Sequence, residues 1–137
     1  MKDFQQIIVI KNMIASEGLD IQIVACPIVR DDDGLAMSSR NLLLERKERI
    51  AAPEIYATLR RSVDYAASHS VEETRRFVEE TLNAVPGFNV EYFSIVDGES
   101  LIPIEEWDES RFVVGCITVY VGKIRLIDNI FYKGEIQ

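Results

Sequence analysis

The sequence predicts an α+β domain, helices packed on a small, mainly antiparallel sheet, preceded by a short αβ unit of a different kind. Three observations point there. The apolar period changes from helical to strand-like in the last third of the chain. A Gly122-Lys123 pair separates two β-branched runs, and the first 26 residues read as helix, glycine turn and strand.

Asp3 followed by Gln6 has the spacing of a capping box, and Ile7, Ile10, Met13 and Ile14 repeat at helical intervals, predicting a helix over about residues 4–17 that stops at Gly18. Ile21 to Cys26 is a short β-rich run closed by Pro27. A lone strand of this kind cannot form a parallel sheet, so it needs partners outside the chain. We place a boundary near residue 28, giving units 1–28 and 29–137. Residues 27–41 are polar and turn-rich, an expected exposed loop of a length that in compact domains is usually functional or disordered.

Ile50, Ile55, Leu59, Val63 and Ala66 mark helical sequence interrupted near Pro53. Ser70 with Glu73 forms a second capping-box pattern, and Val71, Val78, Leu82 and Val85 give the buried face of a helix that Pro86-Gly87 ends. Val90–Val96, Phe112–Val121 and Ile124–Ile127 read as strands, the last two joined by a type II′ turn with glycine at its first central position. The expected core is Leu59, Val63, Val78, Leu82, Val114, Ile117 and Leu126.

Composition excludes several functions. A net charge of −8 without a Lys/Arg cluster disfavours nucleic acid. No run of about 18 apolar residues is present, which argues against a membrane span. The N-terminus lacks the pattern of a secretory signal, giving a cytoplasmic expectation. Cys26 and Cys116 sit in apolar runs without CxxC spacing and read as reduced core thiols. Asp31-Asp32-Asp33 reads as a solvated charge run rather than a metal site, and His69 as a surface linker residue.

Three segments carry more than composition: Lys2-Asp3-Phe4-Gln5-Gln6, Pro27 to Asn41 with Arg30-Asp31-Asp32-Asp33-Gly34-Leu35-Ala36-Met37-Ser38-Ser39-Arg40-Asn41, and Arg125-Leu126-Ile127-Asp128-Asn129. In wording, order and spacing they resemble the pantothenate synthetase (pantoate–β-alanine ligase) family, across essentially the whole chain. The resemblance implies that residues 1–28 are the end of a Rossmann-like nucleotide-binding domain and that residues 29–137 form a C-terminal lid domain. It also implies a two-step ligase: ATP and pantoate give pantoyl adenylate and pyrophosphate, then β-alanine displaces AMP.

Met37-Ser38-Ser39-Arg40 resembles the KMSKS loop of related nucleotidyltransferases. Two hydroxyls beside an arginine supply neutral and charged hydrogen bonds to the β- and γ-phosphates as pyrophosphate leaves. By the same resemblance Lys2 contacts the triphosphate, Asp3 holds the ATP ribose, main-chain groups at Val29 meet the adenine, and Gln6 positions pantoate. Lys2, Ser38, Ser39 and Arg40 are thus the candidate catalytic residues. Asp3 and Gln6 are open to both readings, as helix cap and as ligands. No metal ligand is assigned, since Mg2+ would ride on the ATP phosphates.

The resemblance further implies a homodimeric full-length enzyme, and an upstream half bearing a His-x-Gly-His segment that this sequence does not contain. Glu45 stands where the family has a capping Ser or Thr. The chain is therefore expected to be inactive alone, with Asp31–Arg40 its most mobile internal stretch. A non-catalytic association module and an independent small-molecule binder are the competing readings.

Overall fold

The computed structural model describes residues 3–18 and 27–134. Lys2, Cys26 and the strand expected at 21–26 lie outside the described residues. Helix α1 spans Phe4–Glu17, α2 Arg46–Ala51, α3 Glu54–Ala66 and α4 Val71–Asn83; a 3₁₀ turn covers Ser39–Leu43. Strands β1 (Phe88–Asp97), β2 (Val113–Val121) and β3 (Ile124–Lys133) form an antiparallel sheet in the order β1-β2-β3. The helices on an antiparallel sheet are those the sequence predicts, although β3 runs to Lys133, beyond the Ile127 that composition marked.

Both faces of the sheet are covered. On one, α3 and α4 pack Ile55, Leu59, Val78 and Leu82 against Phe93, Ile95, Ile117, Val119 and Leu126. On the other, α1 seats Phe4 and Ile8 among Val96, Phe112, Val114 and Cys116. Phe4 meets the rings of Phe112 and Phe131 edge-on, each at 5.7 Å. Two-sided cover explains why β2 is apolar without alternation, buried at every position but Tyr120. Each buried Leu or Val in these layers contributes about 2 kcal/mol of apolar transfer.

Three details of the sequence reading need correction. The stripe that α1 buries is Phe4 and Ile8, while Val9, Ile10 and Met13 are exposed. Val63 is only half-buried; Ser62 is buried in its place and bonds the Tyr132 hydroxyl at 2.7 Å. Ile50 faces outward.

The Ser70–Glu73 box forms: the Glu73 N–H donates to Ser70 Oγ at 3.1 Å and the Ser70 N–H to Glu73 Oε1 at 3.0 Å. At α2, Glu48 closes a box by accepting the Glu45 N–H at 2.8 Å, so a glutamate starts this helix. The β2–β3 turn has Gly122 at φ +61° with Lys123 at negative φ, as a type II′ turn requires. No helix among the described residues is long and apolar enough to cross a membrane.

Candidate functional site

The segment 27–41 is a folded structure rather than an open loop. Arg30 and Ala36 pair as an isolated antiparallel bridge, with the Asp31 N–H donating to the Leu35 carbonyl and the Met37 N–H to that of Val29, both at 2.9 Å. Leu35 and Ala36 are buried. Gly34 turns the chain at φ +94°, where a Cβ would lie 2.8 Å from the Tyr56 ring, so neither the conformation nor the space admits a side chain.

Two sets of ion pairs fasten this hairpin. Arg30 donates Nη1 to Asp128 Oδ2 at 2.7 Å and Nη2 to Oδ1 at 2.8 Å, with side chains 17% and 4% exposed. Its guanidinium lies 3.7 Å over the Tyr56 ring and also donates to the Gly34 carbonyl at 3.1 Å. On the other flank Arg49, from α2, reaches Asp33 at 2.7 Å and Asp31 at 3.0 Å. The hydrogen bond from Arg49 holds Asp33 below its ordinary carboxylate range. The charge run stays in contact with solvent, but two of its members are not isolated: Asp31 and Asp33 are spaced to grip one guanidinium, while Asp32 points outward.

Ser38, Ser39 and Met37 line an open depression together with Asn41, Leu42, Arg46 and Arg49. Ser38 Oγ accepts the Arg40 N–H at 3.2 Å and starts the 3₁₀ turn, while Arg40 is exposed and extends Nη1 to the Arg125 carbonyl at 3.3 Å. The two hydroxyls therefore stand beside positive charge in a chain that is otherwise strongly acidic. Val29 is exposed, its carbonyl held by Met37.

Asp3 and Gln6 lie elsewhere, in a cavity of about 130 Å³ that Tyr92, Cys116, Asp128 and Asn129 also line. Asp3 makes no side-chain cap on α1: its backbone, at φ −87° and ψ 54°, is outside the extended region from which a cap bends back to the first N–H groups. The capping half of the double reading is thereby corrected, and Asp3 is one of the residues that line the cavity. Cys116 is a buried free thiol whose pKa burial pushes up to about 12. Among the described residues no group of three His, Cys, Asp or Glu is placed to hold a metal ion.

Sequence reasoning quoted Asp128 only as part of a motif and passed over Tyr56 and Arg49. Asp128 touches both regions, lining the cavity of Asp3 and Gln6 while holding Arg30 at the root of the Met37–Arg40 segment. The three quoted segments, two of them joined across 98 positions by the Arg30–Asp128 pair, therefore converge around one carboxylate.

Comparison with known proteins agrees. The profile of the pantoate-beta-alanine ligase family matches residues 1–131. A pantothenate synthetase of Bacteroides fragilis is 52% identical over 132 residues, 96% of this chain and 47% of that protein. One of Porphyromonas gingivalis is 53% identical with the same coverage. The crystal structure of pantothenate synthetase from Thermus thermophilus superposes with a TM-score of 0.88 at 37% identity, over 97% of this chain and 48% of that one. A Francisella tularensis pantoate-beta-alanine ligase, complexed with beta-gamma ATP and beta-alanine, gives a TM-score of 0.64 at 27% identity, over 98% of this chain and 42% of that one. The chain thus spans about half the length of the relatives it matches. By its three converging segments, its fold and these relatives, the chain belongs to the pantoate-beta-alanine ligase family.

Proposed function

We propose that the chain is the C-terminal part of an ATP-dependent pantoate–β-alanine ligase, with residues 1–28 closing a Rossmann-like domain and residues 29–137 acting as its lid. The observation that supports this most is the convergence at Asp128 of the Asp3/Gln6 cavity and the fastened hairpin ahead of Ser38-Ser39-Arg40.

A pantoate carboxylate oxygen attacks the α-phosphorus of ATP, the bond to the β-phosphate oxygen breaks, and pyrophosphate leaves. The amine of β-alanine then attacks the adenylate carbonyl and AMP departs. Ser38, Ser39 and Arg40 donate to the phosphates on which charge builds. Lys2 reaches the triphosphate, Asp3 the ribose, Val29 the adenine through its main chain, and Gln6 the pantoate. Magnesium arrives on ATP as part of the substrate, and the soluble enzyme works in the cytoplasm as a homodimer. The nucleotide-binding half that completes the site carries the His-x-Gly-His donors, so this chain alone is inactive.

Pantoate-dependent ATP–pyrophosphate exchange tests both statements. Fusion to the nucleotide-binding half of the Bacteroides fragilis relative should give exchange that the chain alone lacks. Robust exchange by the chain alone would refute the incompetence, and none from the fusion would refute the substrate assignment. The outward Val9, Ile10 and Met13 of α1 favour a second reading, an association module without catalysis. It is distinguished by concentration-dependent light scattering of the chain together with silence of the fusion in the exchange assay.

A further inference from the structure

We propose that Arg30 is a positioning residue for adenylation: paired with Asp128 and stacked on Tyr56, it fixes the hairpin from which Ser38, Ser39 and Arg40 are presented. This rests on the reading of Met37–Arg40 as the phosphate loop. The geometry goes beyond a surface ion pair. A bidentate fork sets the guanidinium plane, and the Tyr56 ring fixes the same plane from one side at 3.7 Å. The Gly34 carbonyl takes a further bond at 3.1 Å. Asp128 is itself held, accepting the Asn129 N–H at 2.8 Å through Oδ1.

The anchor and the presented donors are linked by short backbone contacts. Arg30 pairs with Ala36, whose carbonyl accepts the Asn41 side-chain amide at 3.0 Å. Met37, next in line, is bonded back to Val29. Ser38 and Ser39 therefore follow directly from a segment whose register Arg30 sets. At the far end Arg40 reaches the Arg125 carbonyl, three residues before Asp128 on the same strand. The firm hold of strand β3 on the segment is thus at Arg30, and a shift there is passed to the donors rather than absorbed. Because transition-state contacts demand placement within about half an ångström, a loosened anchor should cost turnover before it costs ATP binding.

The variant of choice is Arg30→Lys, which keeps the charge but removes the fork and the flat face. In the fusion with the upstream half, kcat for pantoate-dependent exchange should fall at least tenfold with KM for ATP within about twofold. Asp128→Asn should cause a similar loss, and the double variant should be no worse than either single one. Unchanged kcat in Arg30→Lys, or losses that multiply in the double variant, would overturn the proposal.

An arm without catalysis uses the chain itself. The Asp31, Gly34 and Met37 amides, all bonded within the hairpin, should exchange at least tenfold faster in Arg30→Lys while β2 amides keep their rates. Equal acceleration in β2 would mean global destabilisation and would sink the positioning role, as would no acceleration in the hairpin. If the unmutated fusion shows no pantoate-dependent exchange, the substrate reading fails by itself, and hairpin amides that hold their rates in Arg30→Lys would refute the anchor separately.

Discussion

Arg40 and Arg30 are both arginines of one hairpin, yet they are held in opposite ways. Arg30 is enclosed by a carboxylate and a ring, whereas Arg40 is exposed and rests on a single carbonyl. On the proposed function the outward residue is the one that meets a phosphate. Arg40→Ala in the full-length enzyme should lower the adenylation rate by roughly 100-fold, about 3 kcal/mol of transition-state stabilisation, with KM for ATP little changed. A change confined to KM would contradict that role. Cys116 gives a second test at this scale. Its thiol, pushed up to about 12 by burial in β2, should resist alkylation at neutral pH and react on unfolding, as followed by peptide mass spectrometry. Its character as a core thiol was legible in the apolar run around it. The use of Arg30 and Asp128 was not, because a contact across 98 positions leaves no local trace in the sequence.

Among the elements, the two capping-box patterns show what local sequence can and cannot decide. Ser70 and Asp3 carry the same signature, but only Ser70 stands at the extended backbone angles, φ −72° and ψ 167°, that let its side chain cap. Similarly, α1 is apolar on nearly every side, so its buried stripe is chosen by the Phe112 and Phe131 rings opposite Phe4 and not by its own periodicity. Helices α3 and α4 and strands β1 and β2, whose patterns are one-sided or continuously apolar, were readable. The 27–41 segment was read as an open loop because its order comes from Arg49 and Asp128, which belong to other elements. That dependence predicts a pH effect. Arg49 keeps Asp33 below its ordinary value of 3.8, so the pair's contribution is complete above that value and is lost as pH falls through the lower folded-state one. The Leu35 amide, which donates to Asp33 Oδ1, should titrate in NMR spectra with a midpoint below 3.8. A midpoint at or above it would show that the pair is not formed in solution.

For the molecule as a whole, the layering has a temporal side. The hydrogen-bonded neighbours β1, β2 and β3 follow one another in sequence, and α3 and α4 lie just before them, so one face of the sheet is assembled from nearby chain. The other face must wait for α1, whose Phe4 meets Phe112 and Phe131 more than 100 residues away. Closing so long a loop is paid in entropy before its contacts return anything, which places docking of α1 late on the folding route. Phe4→Leu should therefore speed unfolding in stopped-flow measurements and leave the refolding rate nearly unchanged, a φ-value close to zero. A refolding rate slowed as much as stability falls would instead put α1 in the nucleus. During synthesis the same order means that α1 leaves the ribosome long before β2 exists to receive it. Phe4 and Ile8 then stay uncovered by the sheet until β2 and β3 emerge, alongside the outward Val9, Ile10 and Met13.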